Sequence, residues 1–526
     1  MAHERKNVAM GAISRLGTVP LHCMLPYRHL VSLPLWLLML CTGLGSKLSA
    51  ADTQKLALKV KEPFCGIHVV DDQNGRGISL VELRTVNEIR LETDNAGWVA
   101  FAEPGLMDHE VWFSLSSPGY EKAKDGFGNA GVRFIPHAGE AIEVKMHRTN
   151  LAVRLGRLTG QGLYRDSELL GLTCPLPNLN GGVMGQDSVQ VTPYHGKLFW
   201  LWGDTNLPNY PLGHYETTSA TTPLSVDPRE GIHFDYFMEE GHPDSPRKML
   251  HLGRPGPVWL FGLMTLREPS GDEKLLSHWT RQKDLGHIEE QGICQFNDAK
   301  GVFEPIATFD KDDHWRFPTG NALPYSEGGQ NYFLFTRPFC NIRVRADLED
   351  ITHASAYEAY RFDETAKEWR WQKDQLPTSQ DDEQKLLRSG TMPPDQARYA
   401  LKDAQGSLVR LHGAGIRPLE GGKRYVLIGE EIGDGKAPSF LGEIWIAVAS
   451  SPLGPWTKAI KVASHPHYTF YNPVVHDDLA GGLYFEGTYC REFSGNPLAT
   501  ARYDYNQVIY QVDLNEPRLQ DVLKGP

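Results

Sequence analysis

Apolar and polar positions alternate along residues 185–206 (GQDSVQVTPYHGKLFWLWGDTN) on both sides of a turn, PYHGK. This pattern predicts a two-stranded β-hairpin, with Asp187 at the start of the first strand and Asp204 at the end of the second. Because these two ends are neighbours in an antiparallel hairpin, we expect the two carboxylates to share one rim.

The same pattern recurs along the chain as a small or polar opening, a turn with glycine and an apolar strand. Copies lie at residues 319–339, 412–432 and 470–489, with a weaker one at 247–266. A third apolar run follows each of these copies: SHWTRQ, SAYEAYRF, EIWIAVAS and YNQVIYQVDL. Five units, spaced roughly 60 to 90 residues apart, predict the blades of a β-propeller over residues 149–526.

The last predicted blade is one strand short, because only EPRLQDVLKGP follows YNQVIYQVDL. Residues 151–160 (LAVRLGRLTG) are the candidate outer strand, and their pairing there would close the ring and remove an exposed edge. Charged, helix-favouring stretches at residues 374–405 interrupt the β pattern. They predict a surface insertion, with an overhang of the central face as one option.

Residues 56–148 show shorter alternating runs, such as GIHVVDD, ISLVELRT, GWVAFAEP and EVWFSLSS. Seven such runs predict a small β-sandwich, so the predicted fold class is all-β, with an N-terminal β-sandwich followed by a five-bladed β-propeller. The turn sequences, including DNAGWVAF and SPGYE, resemble those of the carboxypeptidase-regulatory (transthyretin-like) family. This resemblance implies an accessory, non-catalytic domain.

The chain begins with a mixed, basic segment, an apolar core at residues 32–45 and the small residues Ser49, Ala50 and Ala51. This pattern predicts a signal peptide over residues 1–51, cleaved near Ala51, and a secreted or periplasmic protein without stable membrane insertion after its removal. The five later cysteines are scattered without metal-ligand spacing, and we expect them to be buried or singly paired, with Cys65 and Cys174 as one candidate bridge.

Charge and motifs narrow the functional classes. The net charge is −12, and no basic patch of the kind that phosphate backbones require is visible, so nucleic acid is not an expected partner. The chain has no G-x-S-x-G elbow, P-loop or dinucleotide fingerprint, which gives no support to serine hydrolase or nucleotide chemistry.

With five blades and an exported chain, residues 149–526 resemble the five-bladed β-propeller glycoside hydrolase superfamily, which includes arabinanases and β-fructosidases. The resemblance implies a carbohydrate substrate and an active site in the funnel on the ring axis. It also implies a general base or nucleophile on the first blade, a role that Asp187 matches by position, and a proton donor on a later blade. No cofactor is expected, and a calcium ion on the axis is an alternative that no motif supports.

Glycosidic cleavage needs one ionised carboxyl group and one that is held protonated. Glu486 occupies a position that is apolar in the other copies, and burial there would raise its pKa, so it is a donor candidate together with Glu430. Glu431 ranks behind them, and Asp204 occupies the place equivalent to Glu430. The alternatives are structural: a backbone contact for Asp187, a turn for Asp204, and a pairing of Glu486 with Arg491 or Arg502.

Other side chains at the same strand ends are candidate substrate ligands. They are Trp202, Asn321, Arg337, His412, Tyr471 and Asn472. Packing between blades is the alternative for the aromatic residues, and the polar run at 503–507 (YDYNQ) would either contact substrate or lock the ring. These patterns favour an exported glycoside hydrolase with inversion of configuration. The alternatives are a non-catalytic glycan-binding propeller and a sugar lyase with His412 or Tyr471 as the base.

Overall fold

The computed structural model describes residues 53–524, apart from residues 175, 177, 215, 285, 318, 436 and 478. The predicted signal peptide at residues 1–51 lies outside the described residues. Within the described part, the chain is nearly all β, and it contains no helix with the length and apolar character that crossing a bilayer requires.

The N-terminal part consists of short strands in two sheets. The strands are β1 (Thr53–Lys59), β2 (Cys65–Asp71), β3 (Glu82–Thr85), β4 (Arg90–Glu92), β5 (Trp98–Phe101), β6 (Val111–Ser116), β7 (Tyr120–Glu121), β8 (Gly131–Phe134) and β9 (Glu140–Arg148). One sheet has the order β1-β9-β2-β5, with β7 on β9, and the other has the order β4-β3-β6-β8. Their inner faces meet in one apolar core that includes Ile67, Val99, Phe113 and Val144. This is the predicted β-sandwich.

The remaining elements lie downstream of the sandwich. Blade 1 and the segments on either side of it contain β10 (Val153–Arg157), α1 (Asp166–Leu169), β11 (Gly185–Gln186), β12 (Gln190–Tyr194), β13 (Lys197–Trp202), β14 (Thr205–Leu207), β15 (Tyr210–His214), β16 (Thr218–Pro223), β17 (Asp235–Tyr236), β18 (Met238–Glu239) and β19 (His242–Pro246). Blades 2 and 3 contain β20 (Val258–Arg267), β21 (Glu273–Asp284), β22 (His287–Asn297), β23 (Val302–Phe309), β24 (Ala322–Glu327), β25 (Gln330–Thr336), β26 (Cys340–Arg345), α2 (Leu348–Ile351), β27 (Glu358–Asp363) and β28 (Glu368–Gln372). Blades 4 and 5 and the insertion before them contain α3 (Gln380–Arg388), β29 (Leu411–Leu419), β30 (Arg424–Glu431), β31 (Glu443–Ala449), β32 (Ile460–Ser464), β33 (Thr469–His476), β34 (Leu483–Cys490), β35 (Asn506–Val512) and α4 (Gln520–Leu523).

Five of the sheets are the blades of a propeller. Their strand orders are β12-β13-β16-β17, β20-β21-β22-β23, β24 through β28, β29-β30-β31-β32 and β33-β34-β35-β10. Neighbouring blades touch in chain order, through β12 and β20, β20 and β24, β25 and β29, and β29 and β33. Blades 5 and 1 share a core that includes Val191, Trp200, Val474 and Ile509. The ring is therefore closed, and the predicted fold class is confirmed.

Strand β10, which precedes blade 1 in the chain, completes the last blade. It pairs antiparallel with β35, with Val153 opposite Gln511 and Arg157 opposite Val508. The predicted closing strand is thereby confirmed. The sandwich and the propeller belong to one compact unit, Ser49–Pro526, so a domain boundary at residue 149 stays a prediction.

Two details of the repeat prediction are wrong. Residues 247–266 are not a hairpin, because Pro255 and Pro257 cannot donate to a sheet ladder and the segment before β20 is a loop; the true partner of β20 is β21. In blade 3 the third strand is β26, ahead of the SAYEAYRF run that becomes β27. The charged residues of β26 hid it, since Arg343 is buried against Glu327 and Glu358.

The insertion at residues 374–405 contains α3, whose first turn is capped by Ser379 accepting the N–H of Asp382. Met392, Tyr399 and Leu401 from this segment pack in the core between blades 3 and 4. The segment therefore fills a cleft at the side of the ring, and none of its residues lines the cavities described below.

Candidate active site

Asp187 and Asp204 lie side by side at the rim of blade 1, as the hairpin pattern predicts. The Gly203 N–H donates to the Asp187 carbonyl at 2.9 Å, and the Asp187 N–H donates to the Asp204 carbonyl at 3.3 Å. The Asp204 N–H donates to Asp187 Oδ1 at 2.9 Å. A Cβ atom at Gly203 would lie 2.2 Å from the same oxygen. Glycine is thus required there for the Asp187 carboxylate to fold back over the hairpin.

Two phenols from blade 5 reach the Asp187 carboxylate. Tyr471 Oη donates to Asp187 Oδ2 at 3.0 Å, and Tyr505 lies beside the same group. Burial raises the pKa of Asp187, while the hydrogen bonds from Tyr505, Tyr471 and the Asp204 N–H oppose that shift. Burial also places the pKa values of both phenols well above their usual value. The phenols therefore stay protonated and act as donors to Asp187.

Asp204 has a different environment. Its Oδ1 accepts a hydrogen bond from Trp259 Nε1 at 2.8 Å. Burial, and then the charge of Asp187, raise the pKa of Asp204 to about 7. Burial thus raises the pKa of both carboxyl groups, and Asp187 is the one with more hydrogen-bond donors to support its ionised form.

Both acids line a cavity of about 520 Å³ on the face where the innermost strands begin. Trp259, Phe261 and Phe317 supply apolar walls, and Arg337 also lines the cavity. Among the described residues, the Arg337 side chain has no hydrogen-bond or ion-pair partner. The cavity therefore combines two acids, a free guanidinium and aromatic surface, as ligand sites do.

A smaller cavity of about 270 Å³ adjoins it and shares Ser188, Phe261, Thr319 and Arg337 with it. Asn321, His412 and Asn472 line this part. The pKa of His412 is lowered, because the site desolvates its ring and the Arg337 charge is near. The structure thus brings four of the predicted substrate ligands, Asn321, Arg337, His412 and Asn472, around one depression, with Tyr471 at its Asp187 end.

A β-bulge in blade 5 aims two of these side chains. The β33–β34 register shifts between Tyr471 and Val474, and Asn472 has a left-handed φ of 52°. Asn472 Nδ2 donates to Ser188 Oγ at 2.9 Å, and the Asn472 N–H donates to Glu430 Oε1 at 3.3 Å. Bulges and left-handed non-glycine residues recur where a strand must redirect side chains at a site.

Glu430, a predicted proton donor, lies behind the cavity wall. It is 0% exposed, and a Cβ atom at Gly413 would lie 2.8 Å from its Oε1. Burial places the pKa of Glu430 well above its usual value, against the N–H of Asn472. Glu430 is therefore a neutral acid that accepts a hydrogen bond from the backbone of the bulge, and it does not line the cavity.

Glu486, the other predicted donor, is 0% exposed as well. Its Oε1 lies 2.7 Å from His476 Nε2, and the His476 ring lies 5.5 Å from that of Trp200 in the contact between blades 5 and 1. The expected alternative partners are engaged elsewhere, Arg491 with Asp504 and Arg502 with Asp166. Glu486 thus has a partner inside the core and lines neither of the two cavities.

The structure also separates Glu431 and Trp202 from the acid pair. Glu431 follows Glu430 on β30 and points to the other side of the strand, where it accepts the Trp445 Nε1–H at 2.7 Å. Trp202 is buried against Trp200 and Phe234, with ring centroids 6.1 and 4.9 Å away. The packing alternative therefore describes Trp202, and its assignment as a sugar-stacking residue is wrong.

Sequence reasoning missed Trp259 and Phe493. Trp259 lies at the head of β20, and a correct placement of that strand would have aligned it with the other strand starts. Phe493 is 66% exposed and meets Tyr471 edge-to-face at 5.8 Å; no pattern in the sequence marks it. In the 503–507 run, Tyr505 faces Asp187, whereas Gln507 Nε2 donates to the Gln186 carbonyl at 3.1 Å and locks blade 5 to blade 1.

Within the part of the chain that the structure describes, no group of three or more His, Cys, Asp or Glu side chains is arranged to hold a metal ion. All five described cysteines are free thiols, so the candidate bridge between Cys65 and Cys174 is not formed.

No family model matches the sequence, and no curated protein matches it either. Among solved structures, the chain is similar to a GH43_1 enzyme from Xanthomonas citri complexed with xylotriose (11% identity, TM-score 0.32, covering 62% of this chain and 86% of that one). It is also similar to an exo-1,5-α-L-arabinanase from a bovine ruminal metagenomic library (9% identity, TM-score 0.34, covering 62% and 92%). A third is an exo-β-1,3-galactanase from Phanerochaete chrysosporium (11% identity, TM-score 0.32, covering 63% and 61%).

At these TM-scores, the fold of this chain rests on its own five sheets, and its chemistry rests on its own residues.

Proposed function

We propose that this chain is an exported glycoside hydrolase that cleaves O-glycosidic bonds of a poly- or oligosaccharide at Asp187 and Asp204. One observation carries the proposal: two adjacent carboxyl groups line one cavity with different hydrogen-bond support, since Asp187 accepts from the Asp204 N–H and Tyr471 whereas Asp204 accepts from Trp259. Hydrolysis of a glycoside requires a division between an ionised base and a protonated acid.

In this proposal Asp187 is the base. The Asp204 N–H and the Tyr471 phenol donate to its two oxygens, and Tyr505 lies beside them. Hydrogen bonds to a carboxylate favour its ionised form. A carboxylate already engaged by several donors is a weak nucleophile but can orient and deprotonate a water. Inversion of configuration is proposed from the family resemblance, and it requires about 6.5–9.5 Å between the two carboxyl groups so that a water fits between base and sugar.

Asp204 is the proposed proton donor, in place of Glu486 and Glu430. Its pKa of about 7 keeps much of it protonated at neutral pH, and its side chain reaches the cavity. A general acid works best when its pKa lies near the operating pH. Donation of this proton to the glycosidic oxygen allows the leaving sugar to depart as a neutral alcohol.

The rest of the depression would hold the sugar. Arg337, Asn472 and His412 offer polar contacts to hydroxyl groups, and Trp259 and Phe493 offer aromatic faces and edges. The sandwich is proposed to be an accessory domain, as its resemblance implies. Export rests on the signal-peptide pattern, and N-terminal sequencing of secreted material should begin near Asp52.

The test is an assay of purified chain against a panel of plant and microbial polysaccharides and aryl glycosides, scored by new reducing ends. Wild type and Asp235→Asn should both produce them, whereas Asp187→Asn should not. Asp235 is a suitable control because it lies in the same blade, is exposed, and has only a distant histidine partner at 3.9 Å.

The anomer released first, followed by proton NMR, should be inverted relative to the substrate. Glycan binding without any new reducing ends would contradict the proposal in favour of a glycan-binding propeller. An unsaturated product would contradict it in favour of a lyase.

A further inference from the structure

A second cavity, of about 300 Å³, lies outside the candidate active site. The sandwich contributes Arg76 and Asn95 to its wall, the closing strand β10 contributes Leu155 and Arg157, and blade 1 contributes Arg229. The cavity thus sits where the sandwich, the closing strand and the ring meet. Its volume is at the lower end of the range found for small-molecule sites.

Arg157 is buried there without a counter-ion. It is 1% exposed. Its Nη1 donates to the Arg502 carbonyl at 2.7 Å, and its Nη2 approaches the carbonyls of Gln161 and Tyr164 at 3.4 and 3.3 Å. Among the described residues, its Nε has no hydrogen-bond partner and no carboxylate lies within ion-pair distance. The guanidinium also lies over the rings of Tyr164 and Tyr503, 4.4 and 5.0 Å from their centroids. Carbonyl groups and rings thus surround this buried charge, but no carboxylate neutralises it, and a bound anion would supply the missing opposite charge.

Arg76 repeats the pattern on the sandwich side of the cavity. Its Nη2 donates to the Leu155 carbonyl at 3.2 Å, and its buried Nε likewise has no partner among the residues described. Burial lowers the pKa of Arg76, and the charge of Asp227 opposes that shift. Arg76 from the sandwich and Arg157 from β10 therefore both line the cavity.

The acids nearby are already engaged. The Asp94 carboxylate accepts the N–H groups of Ala96 and Trp98, at 3.0 Å each, and both the N–H and the hydroxyl of Ser167 at 2.8 and 2.6 Å. Asp227 binds Arg229 through both oxygens, at 2.9 and 3.0 Å from Nε. Glu230 also lines the cavity but is exposed at its rim. None of the three neutralises Arg76 or Arg157 by direct contact.

A bulge in β10 gives this wall its shape. The register with β35 shifts between Arg154 and Gly156, and a Cβ atom at Gly156 would lie 2.7 Å from the Asn95 side chain. Asn95 in turn accepts the Arg157 N–H and donates to the Arg157 carbonyl, at 3.0 and 2.9 Å. The sandwich thereby fixes the backbone of Arg157.

From these contacts we infer that the cavity is a binding site for a small oxyanion, a carboxylate or a phosphate, held by Arg76 and Arg157. Guanidinium groups bind such anions through parallel N–H donors. Because the ligand would contact both the sandwich and the closing strand, its binding stabilises their association. This inference does not depend on the proposed hydrolase activity.

The first measurement is the melting temperature of the full secreted chain with phosphate, glucuronate, acetate or neutral glucose at constant ionic strength. Phosphate or glucuronate should raise the Tm by a few degrees, in proportion to the logarithm of concentration above Kd, and glucose should not. The relative effects of phosphate and the two carboxylates identify which oxyanion the site prefers.

Cys174 provides a local readout, because it lines the cavity and is partly exposed while the other four described cysteines are buried. The bound anion should slow alkylation of Cys174, measured by peptide mass spectrometry. In Arg76→Gln and Arg157→Gln, at least tenfold more anion should be needed for both effects. If Arg157→Gln does not fold, Arg76→Gln alone carries the test.

Two controls separate this site from other arginines. Arg229→Gln removes a charge that already has Asp227, and Arg337→Gln removes the free guanidinium of the other cavity; both should leave the anion effects unchanged. The inference is overturned if no anion protects Cys174 in the wild type. It is also overturned if the Arg76→Gln chain responds like wild type, or if Arg337→Gln alone abolishes the response.

Discussion

Blade 1 and blades 4 and 5 each carry carboxyl groups in low-dielectric surroundings, but the groups differ in access. Asp187 and Asp204 line a cavity and are only partly covered, whereas Glu430 and Glu486 are 0% exposed. Burial raises the pKa of both Asp204 and Glu430, yet only the Asp204 proton faces a space that a substrate could enter. A raised pKa identifies a proton donor only when the proton can reach the reacting atom.

The two buried acids also differ from each other. Glu486 is paired with His476 at 2.7 Å. Glu430 accepts one backbone N–H, from Asn472, and its Oε2 has no partner within the described part of the chain. Glu430 thus reaches the cavity only through the bulge that it supports, which makes it a positioning residue. Glu486 joins the core that closes the ring.

The largest expected effect comes from Asp187→Asn. The amide matches the carboxylate in size and still accepts from the Asp204 N–H, so the fold should be kept. Loss of the base should lower kcat by about 10³–10⁴-fold on a confirmed substrate. Circular dichroism and Tm check the fold, and initial rates check the loss. A folded Asp187→Asn chain with near wild-type turnover would remove Asp187 from the mechanism.

A somewhat smaller effect is expected for Asp204→Asn, about 10²–10³-fold in kcat for sugars with poor leaving groups, and much less for activated aryl glycosides. In wild type, activity should fall as pH rises through about 7, where Asp204 loses its proton. The variant should lack this limb of the pH–rate profile.

The same shift predicts a sign for stability. The folded state holds the Asp204 proton up to about pH 7, whereas the usual pKa is 3.8, so the folded state binds more protons between these values. The free energy of unfolding therefore falls as pH rises from about 4 to about 7. Asp204→Asn should show a weaker decline, measured by urea unfolding at several pH values. An equal decline in both proteins would contradict the raised pKa.

A fourth prediction sharpens the contrast with the buried acids. Glu486→Gln should leave kcat within about twofold but lower the free energy of unfolding by about 1–3 kcal/mol, since it weakens the buried hydrogen bond to His476. Chemical denaturation and the rate assay at one concentration of folded protein measure the two effects. Glu430→Gln is the matched variant, and it should change stability less because Glu430 is already neutral. A large loss of kcat in Glu486→Gln would restore Glu486 as the donor.

How far the sequence predicts this molecule depends on which interactions are local. Alternation and glycine turns predict the blades, and the missing outer strand predicts the pairing of β10, because period and strand count are properties of nearby residues. The placement of Asp187 beside Asp204 follows in the same way from one hairpin. The apolar residues at the equivalent position of the other copies also predict the burial of Glu486, but they do not predict its partner, His476. His476 faces it across a strand pair that only the β33–β34 register specifies.

Other parts of the site depend on distant chain segments. Trp259 reaches Asp204 because blade 2 follows blade 1 around the ring. The repeat pattern predicts a strand in the proline-containing segment before Trp259, where the structure has a loop. Tyr471 and Asn472 reach the cavity through a bulge that no periodicity reveals. The cavity beside Arg157 joins residues of the sandwich, the closing strand and blade 1, and three-body contacts of this kind are not encoded by any local pattern.

The smallest effect concerns the rim of the site and uses the backbone of Phe493. Its φ of 61° lies in the left-handed region, which costs about 1–3 kcal/mol for a non-glycine residue. Phe493→Gly relieves that cost and adds about 0.5–1 kcal/mol of unfolded-state entropy in opposition. Little burial is lost with a ring that is 66% exposed, so Tm should stay equal or rise. If the ring stacks on substrate, KM should rise about three- to tenfold in Phe493→Gly and Phe493→Ala alike. Phe127→Ala is the control, because that ring is 94% exposed on the sandwich and should leave KM unchanged. An unchanged KM in both Phe493 variants would show that the substrate site ends at Tyr471. A lower Tm in Phe493→Gly would show that the Phe493 ring contributes to packing of the folded protein.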